Sequence, residues 1–89
     1  SKYDTPEFAV INESLFRYIE SKSYSKDKTA TIAANLSKYF GYLAIEQKTE
    51  AIGHFTNLFS SGMYAQAVVF IMVNTHALEK NIRKFIDSI

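Results

Sequence analysis

Apolar residues recur along this chain at alternating spacings of three and four, the pattern of amphipathic α-helices. They form four stripes, which predict helices over residues 6–21, 27–46, 49–61 and 63–88. Because the connections are short, neighbouring helices should run roughly antiparallel. The predicted fold is all-α, a compact bundle of about four helices forming a single domain over residues 1–89. The stripes consist of Phe8, Ile11, Leu15 and Tyr18; Ile32, Leu36, Tyr39 and Leu43; Ile52, Phe55 and Phe59; and Tyr64, Val68, Ile71, Leu78, Ile82, Phe85 and Ile89.

Residues with helix-end preferences flank three of these stripes. Thr5 precedes Pro6, which combines a capping hydroxyl with a proline at the first helical position. Ser25 or Asp27 is suited to cap the second helix. Gly62 follows the third stripe and is expected to end that helix in the left-handed conformation.

Two of the predicted helices contain irregular positions. Gly41 lies inside the second stripe, where glycine costs about 1 kcal/mol relative to alanine, so we expect a close helix crossing or a kink there. The last helix either continues through Asn74–Thr75 or breaks near it. Val68–Val73 could also form a buried strand, because periodicity does not distinguish a short apolar strand from a buried helix. We favour a helix because no partner strand is evident.

The first half of the last helix is apolar on all sides, which raises the question of what covers it. Val69, Met72 and Val73 point away from the stripe and Phe70 lies at its side, while Phe16 lies opposite the stripe of the first helix. Ile45 is similarly placed on the second helix. Either the other helices of the bundle cover these residues, or a second protein does. Contiguous exposed apolar residues mark interfaces, so we predict a partner interface at Val69, Phe70, Met72, Val73 and Phe16.

Composition narrows the class of protein. Hydrophobic residues make up 47% of the chain and aromatic residues 15%, which favours a folded domain. With no cysteine, disulfides and thiolate metal sites are excluded, and a cytoplasmic location, or one inside a virus particle, is favoured. The longest apolar run, Met63–Val73, is 11 residues long. A membrane span needs about 20 residues, so we predict none.

The residues that could support catalysis or bind a metal are scattered. His54 and His76 are not in a metal-ligand spacing, and the acidic residues fall on polar faces or at helix ends. No serine stands in a nucleophile elbow, and three glycines do not supply a phosphate-binding loop. We therefore expect no enzyme activity, no metal and no cofactor.

Two classes of function remain. The favoured one is a protein–protein interaction or adaptor module that acts through an apolar helix face and forms a homodimer. The alternative is a small helical nucleic-acid-binding regulator. Ten Lys and Arg against nine Asp and Glu give a net charge of only +1, which does not favour nucleic acid. The only basic patch expected comprises Lys22, Lys26, Lys28 and Lys38.

Overall fold

The computed structural model describes residues 5–75 and 79–89, and all of its regular elements are helical. This confirms the all-α bundle predicted from the sequence, with a different division into helices. The elements are α1 (Pro6–Ser21), α2 (Lys26–Leu36), a 3₁₀ segment (Ser37–Tyr42), α3 (Ile45–Ser60), α4 (Tyr64–Thr75) and α5 (Glu79–Asp87).

The helix ends predicted at Thr5, Ser25 and Gly62 are each set by residues close in the sequence. The Thr5 hydroxyl accepts a hydrogen bond from the Phe8 amide at 3.1 Å, with proline at the start of α1. Ser25 caps α2 by accepting from the Lys28 amide at 3.0 Å. Gly62 has a φ of 76°, a left-handed conformation that glycine adopts without steric cost. These three positions confirm the helix ends expected from the sequence.

The continuous second helix predicted over 27–46 is wrong. α2 ends at Leu36, the chain tightens into the 3₁₀ segment, and extended backbone at Leu43 and Ala44 leads into α3. A Cβ added to Gly41 would meet nothing within 4 Å, so no close helix crossing explains this glycine. The tighter turns place Phe40 in the core, where its ring centroid lies 5.5 Å from that of Phe55.

α4 is the central helix. It packs against α1, α2, α3, α5 and the 3₁₀ segment. The region that could have been a strand is helical. Every residue from Ala67 to Met72 is buried, so this part of α4 is covered on all sides. Among the described residues, the buried hydrophobic core comprises Leu15, Ile19, Ala33, Leu36, Phe40, Ala51, Ala67, Val68, Val69, Phe70, Ile71, Met72, Ile82 and Ile86.

α5 packs against α1 and α4 through the buried side chains of Ile82 and Ile86. The predicted break near Asn74–Thr75 concerns a junction whose residues 76–78 lie outside the described part of the chain, as do His76 and Leu78. α4 itself extends through Thr75. None of the helices in the described ranges is both long and apolar enough to cross a membrane.

Polar contacts fasten α5 to α1. The Lys22 ammonium lies 2.6 Å from an Asp87 carboxylate oxygen, and the Tyr18 hydroxyl donates to the same oxygen. These two hydrogen bonds hold the pKa of the Asp87 carboxyl below its ordinary value, and the same ion pair raises the pKa of Lys22. One turn earlier, Arg83 donates to the Ser14 hydroxyl at 2.7 Å and lies over the Tyr18 ring. These contacts fix how α5 lies across the bundle.

Candidate functional site

The apolar face predicted as a partner interface lies inside the domain. Val69 and Met72 are 0% exposed and Phe70 is 1% exposed, so the expectation that they point out of the bundle is wrong. The physical reason is that α4 is surrounded, so each of its sides meets a different neighbouring helix. Val73 and Phe16 are half-buried and pack against the same core. No part of this set forms an exposed apolar patch.

The neighbours of Phe70 show how completely α4 is covered. Its ring centroid lies 4.5 Å from that of His54 on α3 and 6.4 Å from that of Phe40 in the 3₁₀ segment. His54 thus packs against an aromatic ring. Within residues 5–75 and 79–89, no group of three or more His, Cys, Asp or Glu side chains is placed to hold a metal ion.

The four lysines of the predicted basic patch are each paired with a tyrosine ring. Besides its ion pair with Asp87, the Lys22 ammonium lies 4.9 Å from the Tyr18 ring centroid. The other three pairs are Lys26 over Tyr64, Lys28 over Tyr24 and Lys38 over Tyr39, at 5.7, 4.5 and 5.5 Å. Cation–π contacts of this kind contribute about 0.5–1 kcal/mol at exposed sites. The lysines therefore help to hold aromatic side chains in place on the surface.

An apolar groove runs between α2 and α5, which both pack on α4. Its volume is about 210 Å³. On the first wall, apolar residues are spaced by four and three along α2 and the 3₁₀ segment. The second wall is formed by Phe85 on α5 and by Ile89, which lies two residues beyond the end of α5. The lining consists of Ile32, Asn35, Leu36, Lys38 and Tyr39 on the first wall and Phe85 and Ile89 on the second.

The groove is open to solvent, and the side chains that line it pack against the buried core. Ile32, Tyr39 and Phe85 are half-buried, and Ile89 is 44% exposed. Ile32 and Ile89 also line a tighter apolar depression below, together with the core residue Val68. The two walls contact each other where the Tyr39 ring meets Phe85 edge-on, with centroids 6.2 Å apart.

Two lysines lie beside the groove on the wall formed by α2 and the 3₁₀ segment. Lys38 is part of the lining, and Lys28 precedes Ile32 by one helical turn. None of the residues that line the groove is acidic. At the far end, Tyr39 stacks on Tyr42 at a centroid distance of 6.1 Å, and Tyr42 is 84% exposed. The apolar surface therefore continues from the groove towards the start of α3.

α3 carries an outward stripe that the sequence analysis did not identify: Ile45, Thr49, Ile52 and Thr56, spaced by four, three and four residues. Ile45 is 75% exposed and Ile52 is 43% exposed. Both threonine hydroxyls donate to backbone carbonyls four residues earlier, at 3.1 and 2.7 Å. Because these hydroxyls are already hydrogen-bonded within the helix, the stripe presents mainly methyl groups to the outside.

Three apolar surfaces lie on the described part of the chain: the groove, the α3 stripe and a wide open hollow at the start of α1 that is lined by Pro6, Glu7, Val10 and Ile11. Their chemistry suits the binding of apolar side chains, with Lys28 and Lys38 beside the groove and with Glu46 and Lys48 on opposite flanks of the stripe. Comparison with protein-family models, with curated proteins and with solved structures finds no match to this chain.

Proposed function

We propose that this domain is a non-enzymatic protein–protein interaction module that binds an amphipathic helix in the groove between α2 and α5. The observation that supports this most strongly is an open apolar groove with a volume of about 210 Å³ between α2 and α5. A cavity of about 150 Å³ is enough for a benzene-sized group. The groove can therefore accept one large apolar side chain.

The spacing of the groove walls favours a helical ligand. Apolar residues at i, i+3, i+4 and i+7 are the anchors with which amphipathic helices enter hydrophobic grooves. Moving a large aliphatic or aromatic side chain from water into the groove is worth about 1.5–3 kcal/mol if burial is complete. Association itself is costly, so we expect weak, reversible binding. The absence of cysteine is compatible with work in a reducing compartment, and we place the module in the cytoplasm.

Selection from a displayed library of helical peptides tests this function and does not require the partner to be identified first. Immobilised domain should enrich peptides with large apolar residues at i, i+4 and i+7. Ile89→Asp should abolish their binding, because Ile89 lines the groove and its exposure lets the variant fold. The matched control is Val10→Asp on α1, where the replaced side chain is 70% exposed and lies outside the groove.

The comparison of the two variants decides the result. Peptides that bind wild type and Val10→Asp but not Ile89→Asp support the groove as a docking surface. A selection that yields no peptide, or peptides that bind Ile89→Asp as well as wild type, contradicts it. Circular dichroism of both variants confirms that the comparison is made between folded proteins.

A further inference from the structure

Resting on the function proposed above, we propose that the helix bound in the groove is acidic, with carboxylates beside its apolar anchor that pair with Lys28 and Lys38. The proposed function requires only an apolar side chain from the ligand. The charges around the groove select further, because they favour one chemical class of amphipathic helix. The partner is thus a peptide segment with Glu or Asp on the flanks of its apolar face.

Both lysines hold their ammonium groups over aromatic rings at the groove. Lys38 belongs to the lining, and its ammonium lies 5.5 Å from the ring centroid of Tyr39, which lines the groove as well. The Lys28 ammonium lies 4.5 Å from the ring centroid of Tyr24, which lines the apolar depression below the groove together with Ile32. Each positive charge is therefore held beside apolar surface that a docked helix covers.

Neither charge is neutralised by the described part of the domain. Within residues 5–75 and 79–89, Lys28 and Lys38 form no ion pair. Asp87 on α5 is bound by Lys22 at the end of α1. Lys84, on the same helix as Asp87, is exposed and adds a further positive charge on that element. A ligand that carries carboxylates therefore meets uncompensated positive charge at this surface.

The acid next to Lys28 in the sequence lies away from the groove. Successive residues of an α-helix are about 100° apart, so Lys28 lies about 40° around α2 from Ile32 and Asp27 about 140°. Lys26 lies about 120° from Ile32 in the other direction and lines a separate cleft beside the start of α4. Of the three charged residues that begin α2, Lys28 is thus the one on the groove side.

The apolar lining favours a peptide over a nucleic acid as the source of negative charge. Nucleic-acid sites hold phosphates with clusters of Arg and Lys, whereas this groove places two lysines beside Ile32, Phe85 and Ile89. An amphipathic helix supplies in one segment an apolar side chain for the lining and carboxylates for the lysines. Opposite charges across the rim of an interface steer association and fix its register.

Selection from a charge-biased peptide library tests this preference. Each peptide has leucine at i, i+4 and i+7 of an alanine-rich helix, and the flanking positions are randomised among Glu, Gln and Lys. Immobilised wild type should enrich Glu over Lys at those positions by about fivefold or more, since one exposed ion pair is worth up to about that factor. The double variant Lys28→Glu/Lys38→Glu should reverse the preference to Lys.

Lys28→Glu and Lys26→Glu form a matched pair. Both replace an exposed lysine in the first turn of α2 whose ammonium lies over a tyrosine ring, so the change in net charge is the same. An acid there favours the helix in both variants. Fluorescence anisotropy of a selected Glu-rich peptide should show affinity about two- to tenfold weaker for Lys28→Glu and unchanged for Lys26→Glu. Raising the salt concentration from about 0.05 M to about 0.5 M should reduce this difference.

Equal enrichment of Glu and Lys overturns the acidic partner, as does an equal loss of affinity in the two variants. Displacement of the peptide by single-stranded DNA at equal concentration also overturns it, because the lysines would then be binding phosphate. Peptides that are selected without a charge preference and lost with Ile89→Asp leave the proposed function standing and remove only the acidic partner. A library that yields no peptide removes both.

Discussion

Replacing Val69 by lysine is expected to unfold the domain. Val69 is 0% exposed in the middle of α4, and this helix has neighbours on all sides. An ammonium group placed there has no acidic partner among the core residues, and an unpaired buried charge costs several kcal/mol. Domains of this kind have a total stability of about 5–15 kcal/mol, so this single change removes most or all of it.

Circular dichroism and urea denaturation measure the effect of Val69→Lys directly. The control is Val10→Lys, which introduces the same charge at a side chain that is 70% exposed. The control should keep the wild-type spectrum and denaturation midpoint. A Val69→Lys variant that remains folded while losing a binding partner would contradict the burial of this residue and would restore the partner face first predicted on α4.

Truncating Phe70 to alanine is expected to cost about 3–5 kcal/mol, the usual range for removing a fully buried aromatic side chain. The ring contacts both Phe40 and His54, which belong to different elements, so neither can fill the cavity alone. Loss of packing should therefore affect the junction of α3, α4 and the 3₁₀ segment together. The midpoint of urea denaturation should fall while the slope is retained.

Phe59→Ala provides the matched comparison for Phe70→Ala. Phe59 is half-buried on α3, where its ring contacts Phe55 and Tyr64, so the same chemical change removes less buried surface. We expect its loss of stability to be clearly smaller. Equal losses for the two variants would contradict the full burial of Phe70.

Helix ends were predictable because they depend on residues close together in the chain. The Thr5 and Ser25 caps each join residues three apart, and Gly62 needs only its own backbone freedom. At Gly41 the sequence indicated only that the second helix is irregular, and not that α2 ends at Leu36 and continues as a 3₁₀ segment. Its form depends on distant contacts, since the 3₁₀ segment places Phe40 against Phe70 from another helix. A periodic pattern within one helix contains no such information.

The candidate site was harder to predict because the sequence shows which helix faces are apolar but not which neighbours cover them. α4 is apolar on all sides, and this was interpreted as surplus surface although the bundle encloses it. The α3 stripe was missed because Ile52 was assigned to the stripe of the third helix and Ile45 to the second helix, whereas both are exposed on α3. The hydroxyls of Thr49 and Thr56 bond to the helix backbone, which leaves an apolar exterior beside the two isoleucines.

The groove illustrates the same limit. Ile32, Tyr39 and Phe85 were correctly identified as stripe residues, and a stripe ordinarily faces the core. In the structure they pack against the core and also line an opening, because α2 and α5 both rest on α4 with a groove left between them. Their partial exposure follows from the placement of two helices far apart in sequence, which local periodicity does not determine.

The most direct test of the groove as the docking surface is methyl NMR of the isoleucine and valine side chains while a helical peptide selected on the domain is added. Docking in the groove predicts shifts at Ile32 and Ile89, which line it, with the buried Val69 and Ile71 unchanged. Shifts that are largest at Val69 and Ile71, or spectra that the peptide does not change, would contradict the account.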